Sequence, residues 1–253
     1  MVNQTDFFIS ENIIEHIPAE EYFKIDHIIE DVDAFARTTY KSVYVIDYYR
    51  QSFLYVSENP LFLCGLTAER VKELGYNFYI NHTTPEDLTM LLEINRAGFK
   101  FFEKIPNEHR KQYTISYDFQ IINKEYRNKS LINHQITALR LTSDGKIWLG
   151  LCVASVSSAD NSGNIMMLKN KSRDYWEYNR VSQHWEQRLR PELKEIEKDV
   201  LKLSAMGYTM NEIADTVNRS VDSVKVYRKN LFEKLGVDNI AEAINYAMNH
   251  RLL

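Results

Sequence analysis

The chain has 253 residues, 44% of them hydrophobic and 26% charged, and 31 basic residues against 35 acidic ones leave a formal net charge of −4. That length suits two ordinary domains, and the near balance of charge excludes a whole-chain attraction to nucleic acid or membrane, so any such attraction must be local. Eight glycines and five prolines exclude collagen-like or linker-rich character, while 16 Tyr, 12 Phe and 3 Trp favour strands and a large core.

Cys64 and Cys152 are too far apart in sequence for a metal-ligand spacing, and two cysteines alone make no disulfide framework, so a reducing compartment is expected. Met1 to Asp6 lack the basic and apolar regions of a signal peptide, and the longest apolar stretch, Ile147 to Val156, is half a membrane span. The expectation is a soluble, cytoplasmic protein with no membrane partner.

Residues 18–40 read as a lead-in helix, with Pro18 suited to a first helical position and Ile25, Ile28, Ile29, Val32, Phe35 and Ala36 recurring at three-to-four spacing. Val43 to Tyr48 and Phe53 to Val56 form a hairpin-like pair of strands. Thr67 to Leu74 is helical in pattern and stops before Gly75. Thr84-Pro85-Glu86-Asp87 caps a longer helix whose stripe runs through Leu88, Leu91, Leu92, Asn95 and Phe99 to about Lys104.

Three long strand patterns follow, Tyr113 to Asn123, Leu131 to Thr142 and Ile147 to Ser157, the last two joined by Ser143-Asp144-Gly145-Lys146, a hairpin signal. Ala159 to Asn164 is a turn cluster. Residues 161–190 read as a connector carrying an appended hairpin built from Ile165 to Leu168 and Tyr175 to Trp185, and the chain is helical in composition from Pro191 to Leu253.

Four helical patterns occupy residues 193–250. Leu193, Ile196, Val200, Leu201 and Leu203 mark the first, stopped at Gly207. Thr209 to Glu212 forms a capping box opening a short second helix with Ile213, Ala214 and Val217 inward. Asn218-Arg219 makes a turn, and Ser220 caps a third helix with Val224, Leu231 and Leu235 on its core face; Gly236 ends it, and a fourth helix turns Ala243, Ile244 and Ala247 inward. Two short helices across a tight turn make a helix-turn-helix.

Residues 190–253 hold ten basic and ten acidic residues, yet within 219–234 Arg219, Lys225, Arg228, Lys229 and Lys234 oppose only Asp222 and Glu233, a local +3 of the kind phosphate neutralisation needs. At ~100° per residue Val226 lies about 200° from Val224 and therefore points outward beside Asp222, Lys225 and Lys229, where it can meet a thymine methyl.

Glu197, Asp199-Val200-Leu201, Gly207-Tyr208-Thr209, Asn211-Glu212-Ile213-Ala214, Ser223-Val224-Lys225-Val226-Tyr227 and Lys234-Leu235-Gly236-Val237 resemble the LuxR-type DNA-binding domain, in order and without gaps. The departures are Tyr227, where that family often has histidine, and the turn Asn218-Arg219, where an apolar residue is frequent. The resemblance implies a double-stranded DNA partner, with Thr209, Asn211, Ser220, Asp222, Ser223, Lys225, Val226, Tyr227, Arg228 and Lys229 as the DNA-contacting set.

Upstream, Phe53 to Asn59, Gly65 to Glu69 and Thr84 to Leu88 resemble the PAS family, as does the order of two strands, helices and three strands. That resemblance implies a sensory or interaction module for a small-molecule or protein ligand. The whole reads as an α+β chain: residues 1–160 a PAS-like domain with a five-stranded antiparallel sheet, residues 191–253 an all-α helix-turn-helix domain of four helices.

No cofactor is expected. A flavin photosensor of this family would carry a cysteine near Tyr76 to His82, and none is there; Cys152 reads as a buried structural thiol. His82 and His109 are the candidate haem ligands, and each is better placed as a surface or capping residue. Tyr113, Tyr117 and Phe119 alternate on one strand face, suited to a cavity or a core. The chain has no Lys-Pro dipeptide for a phosphoacceptor receiver and does not resemble an acyl-homoserine-lactone domain.

G-x-S-x-G, G-x-G-x-x-G, P-loop and H-E-x-x-H motifs are absent, so neither an enzyme nor a metal site is expected. The expected function is a homodimeric, ligand- or partner-responsive transcriptional regulator; the alternative is an assembly module whose helix-turn-helix fold binds no specific DNA.

Overall fold

The computed structural model describes residues 2–250 and 252, so Leu253, to which the helical composition extends, lies outside the described residues along with Met1 and Arg251. The chain divides into two compact units, Met1–Gln187 and Arg188–Leu253.

The first unit is organised by one antiparallel sheet. Helix α1 (Ala19–Arg37) precedes β1 (Ser42–Asp47) and β2 (Ser52–Val56). Helices α2 (Pro60–Leu63), α3 (Ala68–Leu74), α4 (Asn77–His82) and α5 (Pro85–Glu103) follow, and β3 (Tyr113–Asn123), β4 (Asn128–Leu141) and β5 (Ile147–Val156) return to the sheet. The PAS-like order expected from the sequence is present as the β2-β1-β5-β4-β3 portion.

Every residue of β1 is buried, because both faces of this part of the sheet are covered. Tyr44 and Ile46 point to a core shared with α2 to α5, whereas Val43 and Val45 point to a second core beneath α1, with Ile25, Val32, Ala36 and Trp148. The turn between β4 and β5 carries Gly145 at φ +87°, and a Cβ there would collide with the side chains of Asn107 and Arg110. Arg110 donates to Gly145 O at 2.5 Å and to Ile105 O at 2.9 Å, so the turn is locked from outside the hairpin.

The sheet has eight strands, which corrects the expected five. Strands β6 (Gly163–Lys169), β7 (Asp174–Asn179) and β8 (His184–Leu189) extend it in the order β3-β6-β7-β8. These strands fall within residues 161–190, read from the sequence as a connector with an appended hairpin. β6 pairs with the free edge of β3, Ile115 opposite Met167 and Thr114 opposite Leu168, because an uncovered strand edge holds unpaired amides and carbonyls that a neighbouring strand satisfies. Side chains reinforce the attachment: Asp118 accepts from Asn164 Nδ2 at 2.9 Å, Asp87 accepts from Ser162 Oγ at 2.9 Å, and Trp185 Nε1 donates to Ala97 O at 3.2 Å.

The second unit holds α6 (Glu195–Ala205), α7 (Met210–Thr216), α8 (Val221–Leu235) and α9 (Ile240–Asn249). Thr209 and Glu212 form the capping box expected of them, Ser220 accepts from Ser223 N at 3.2 Å to open α8, and Gly236 closes that helix in the left-handed conformation at φ +66°. Val200, Ile213, Ala214 and Val224 form one small core, and Leu201, Leu231, Leu235, Ala243 and Ala247 another. Each helix buries one stripe and leaves its other face to solvent.

Candidate nucleic-acid interface and candidate sensing cavity

Helix α8 sorts its residues by angle. Val224, Leu231 and Leu235 are buried, while Asp222, Lys225, Val226, Lys229 and Glu233 lie exposed on the opposite face. Val226 is 54% exposed, so an apolar side chain stands among lysines where no core claims it. Lys225 Nζ pairs with Asp222 at 2.9 Å and Lys229 Nζ with Glu233 at 3.8 Å, both between exposed side chains. Exposed pairs of this type contribute little because water screens them, so a phosphate competes readily for these lysines.

The remaining basic residues of this stretch are engaged with their own domain. Lys234 Nζ donates to Glu197 at 2.7 and 2.9 Å, Arg228 donates to Met210 Sδ at 2.9 Å and lies over the Phe232 ring, and Arg219 donates to the Asn218 carbonyl. Tyr227 is half-buried against the Val200 and Ile213 cluster. Of the ten residues singled out from the sequence, the structure therefore gathers Asp222, Lys225, Val226 and Lys229 on one exposed face, with half-buried Ser223 at its edge. Thr209 and Ser220 are committed as caps at the starts of α7 and α8, and Asn211 is exposed in the first turn of α7.

In the first unit a cavity of about 80 Å³ lies between α5 and the inner face of the sheet. Its lining includes Ile46, Tyr48, Tyr79, Phe99, Tyr117 and Ile136, and it contains no charged side chain. Of the three aromatics that alternate on β3, Tyr113 and Tyr117 line it and Phe119 is fully buried in the core, so the face divides between the two outcomes open to it. Phe7 closes one side. It sits in a 3₁₀ turn, Gln4–Phe7, is 4% exposed, and packs on Tyr76 and Tyr79 at ring-centroid distances of 5.1 and 5.8 Å. Asn95 Nδ2 on α5 donates to Phe7 O at 2.5 Å, and Asn12 exchanges two hydrogen bonds with the Ile147 backbone at 2.9 and 3.0 Å, so residues 4–12 strap across the domain.

Behind the cavity wall lies a buried polar chain that sequence reasoning missed. Tyr117 Oη meets His134 Nδ1 at 2.7 Å, His134 Nε2 meets Tyr44 Oη, and Tyr44 Oη meets Tyr79 Oη at 2.5 Å. His134 is fully buried, and burial pushes its imidazole down to about 3, so it is neutral at physiological pH. The signal was present in strand β4, where His134 falls in phase with the inward Ile132, Ile136 and Ala138.

His82 and His109 do not come together. His82 stacks on Phe78 and bonds to the Ile122 carbonyl at 2.9 Å, while His109 is exposed. Cys64 and Cys152 are both buried free thiols; burial raises Cys64 to about 12 and also pushes Cys152 up. Among the described residues no group of three or more His, Cys, Asp or Glu side chains is placed to hold a metal ion, and no helix is long and apolar enough to cross a membrane.

Residues 192–247 match the family described as bacterial regulatory proteins, luxR family. Over 57 residues the chain is 37% identical to the transcriptional regulatory protein MctR of Rhizobium johnstonii, a stretch covering 22% of this chain and 27% of that one. Over 61 residues it is 36% identical to the response regulator protein VraR of Staphylococcus aureus, covering 24% and 29%. The chain thus spans little more than a quarter of the length of these curated relatives.

Among solved structures it is similar to the VqmA dimer of Vibrio cholerae, at 17% identity and a TM-score of 0.35 over 87% of each chain. It is also similar to a PAS domain from Colwellia psychrerythraea, at 10% identity and a TM-score of 0.37 over 53% of this chain and 96% of that one. The assignment of the C-terminal unit to the LuxR-type helix-turn-helix domain rests on the match over residues 192–247.

Proposed function

We propose that the protein is a DNA-binding transcriptional regulator in which the N-terminal PAS-like domain takes the input and the LuxR-type domain reads the major groove through α8. The observation that carries this reading is the outward face of α8 within the matched residues. Lys225 and Lys229 have only weak surface partners there, and Val226 stands exposed between them. Phosphate contacts by lysine supply affinity and position, and contacts from this face to base edges supply specificity.

One recognition helix reads only a few base pairs, so the active species is a homodimer on two half-sites about one helical turn apart. The input is a small molecule in the cavity beneath α5. The deciding experiment is selection of duplex DNA by the purified full chain, followed by binding to the selected duplex over a range of salt. A selected sequence bound with a steep salt dependence is the expected result. Equal, weak binding to every duplex favours the assembly-module reading.

A further inference from the structure

The chain from Tyr117 through His134 and Tyr44 to Tyr79 has a hydrogen count that constrains what the cavity recognises. A neutral histidine carries one N–H, and three tyrosines carry three O–H groups. Those four hydrogens serve three internal hydrogen bonds, Tyr117 to His134, His134 to Tyr44 and Tyr44 to Tyr79. One hydrogen is therefore left over.

Its position depends on the imidazole tautomer. With the proton on Nδ1, His134 donates to Tyr117 and accepts from Tyr44, Tyr44 accepts from Tyr79, and the surplus O–H belongs to Tyr117. With the proton on Nε2, His134 donates to Tyr44, Tyr44 donates to Tyr79, Tyr117 donates to Nδ1, and the surplus O–H belongs to Tyr79. Both end residues line the cavity, and among the described residues neither hydroxyl has a further protein partner. The Cys152 sulfur lies in hydrogen-bond contact with Tyr44, whose own hydroxyl hydrogen is taken by His134 or Tyr79 in these two arrangements. In each tautomer the chain thus presents one hydrogen-bond donor at one end and an oxygen able only to accept at the other. A buried donor without a partner carries an unrecovered desolvation cost, which an acceptor on a bound molecule recovers.

We propose that the cavity binds a small uncharged molecule carrying one hydrogen-bond acceptor and one donor on an apolar body, and that the Tyr117–His134–Tyr44–Tyr79 chain is its polarity filter. His134 is the positioning residue, since it moves the surplus hydrogen between the two ends without itself lining the cavity. Ions are rejected because no charged side chain lines the site. This proposal rests on reading the N-terminal domain as the one that takes a ligand.

The test uses ring probes on the full chain without DNA: phenol and toluene, which are equal in size, and the charged benzylamine, one heavy atom larger. At about 80 Å³ the cavity is smaller than the ~150 Å³ that admits benzene, so every ring must push back a wall such as Phe7, and that shared cost cancels from the comparison. Phenol is expected to bind at least ~10-fold more tightly than toluene, and protonated benzylamine not at all. Tyr79→Phe and Tyr117→Phe should each keep most of the preference, because the surplus hydrogen retreats to the remaining end, while the double variant should lose most of it, keeping only what the bonded Tyr48 and Tyr76 hydroxyls on the same cavity supply.

Nitrogen NMR of His134 in the unaltered chain should show one protonated and one bare ring nitrogen at neutral pH, and this readout, with the probe series, stands whether or not the double variant folds. Toluene binding as tightly as phenol, no probe binding at all, loss of the whole preference in one single variant, or a doubly protonated His134 each overturns the proposal. Sequence-selective DNA binding is measured separately, so these failures leave the DNA-binding reading intact, and its failure leaves the cavity result readable.

Discussion

Glu197, near the start of α6, and Lys234, in the last turn of α8, form a bidentate ion pair at 2.7 and 2.9 Å, with the carboxylate buried to 1% exposure and also accepting from the Lys194 amide at 2.8 Å. The pair ties the far end of the helix that presents Lys225 and Lys229 to the first helix of its domain. Lys234 thereby belongs to the scaffold of the C-terminal unit, its ammonium held by the Glu197 carboxylate.

Glu197→Ala is expected to destabilise the C-terminal domain by ~1–3 kcal/mol, because it leaves the Lys194 amide and the Lys234 ammonium without their acceptor. Glu197→Gln, which still accepts from Lys234, should cost less. Thermal unfolding of the three proteins checks the order, and an alanine variant as stable as the parent contradicts it.

Lys225→Ala and Lys229→Ala should each weaken binding to the selected duplex. The loss is ~1–3 kcal/mol where a base edge is read, and where only a phosphate is touched the salt slope falls by about one. Arg228→Ala should act differently, through lost packing on Met210 and Phe232. Titrations at several salt concentrations separate the two effects; full affinity in the folded Lys225/Lys229 double variant would remove α8 from the interface.

His134 makes stability depend on pH. Its imidazole is pushed from the ordinary 6.5 to about 3 by burial, so below 6.5 the unfolded chain binds a proton that the folded chain refuses. Stability is fully present above about 6.5 and is lost as the pH falls toward 3, at up to ~1.4 kcal/mol per pH unit. His82, also lowered by burial, acts in the same direction, while Asp118, raised by burial, acts in the opposite one. Urea unfolding between pH 7.5 and 5.5 should therefore show a steeper decline for the parent than for His134→Gln, and parallel curves would mean that His134 is not held neutral.

Phe7 should govern the strap. Phe7→Ala removes a 4%-exposed ring from the cavity wall, a change that costs ~3–5 kcal/mol in a rigid core. In a segment that can open by itself, the loss appears first as local opening. Hydrogen exchange should quicken at residues 5–12 and at Ile147, whose amide donates to Asn12 at 2.9 Å, while β3 and β4 stay protected. Equal quickening across the sheet would show that the strap is an integral part of the core.

Both thiols should resist modification in the native protein, since burial holds Cys64 near 12 and Cys152 higher than its ordinary value, leaving almost no thiolate at neutral pH. A thiol reagent should label them only on unfolding, and fast native labelling of Cys64 would reveal an opening near α2.

Local patterns in this chain were readable wherever the controlling physics is local. The Thr209–Glu212 box, the Ser220 cap, the Gly236 stop and the outward angle of Val226 follow from spacings of a few residues, and the sequence therefore determined the helix-turn-helix and its exposed face. The paired strands around Ser143 to Lys146 were equally legible, because Asp-Gly turn chemistry and alternation act over short distances. Tertiary structure alone decided the rest. Residues 163–169 look like one arm of an appended hairpin until the open edge of β3 takes them in, which no local spacing announces. Lys234 counts as surface charge until the fold sets it against Glu197, 37 positions away, and His134 is one polar residue in an apolar strand until Tyr44, 90 positions earlier, arrives at its Nε2. Burial and hydrogen-bond partnership belong to pairs of residues brought together by the whole chain, and only the folded structure assigns them.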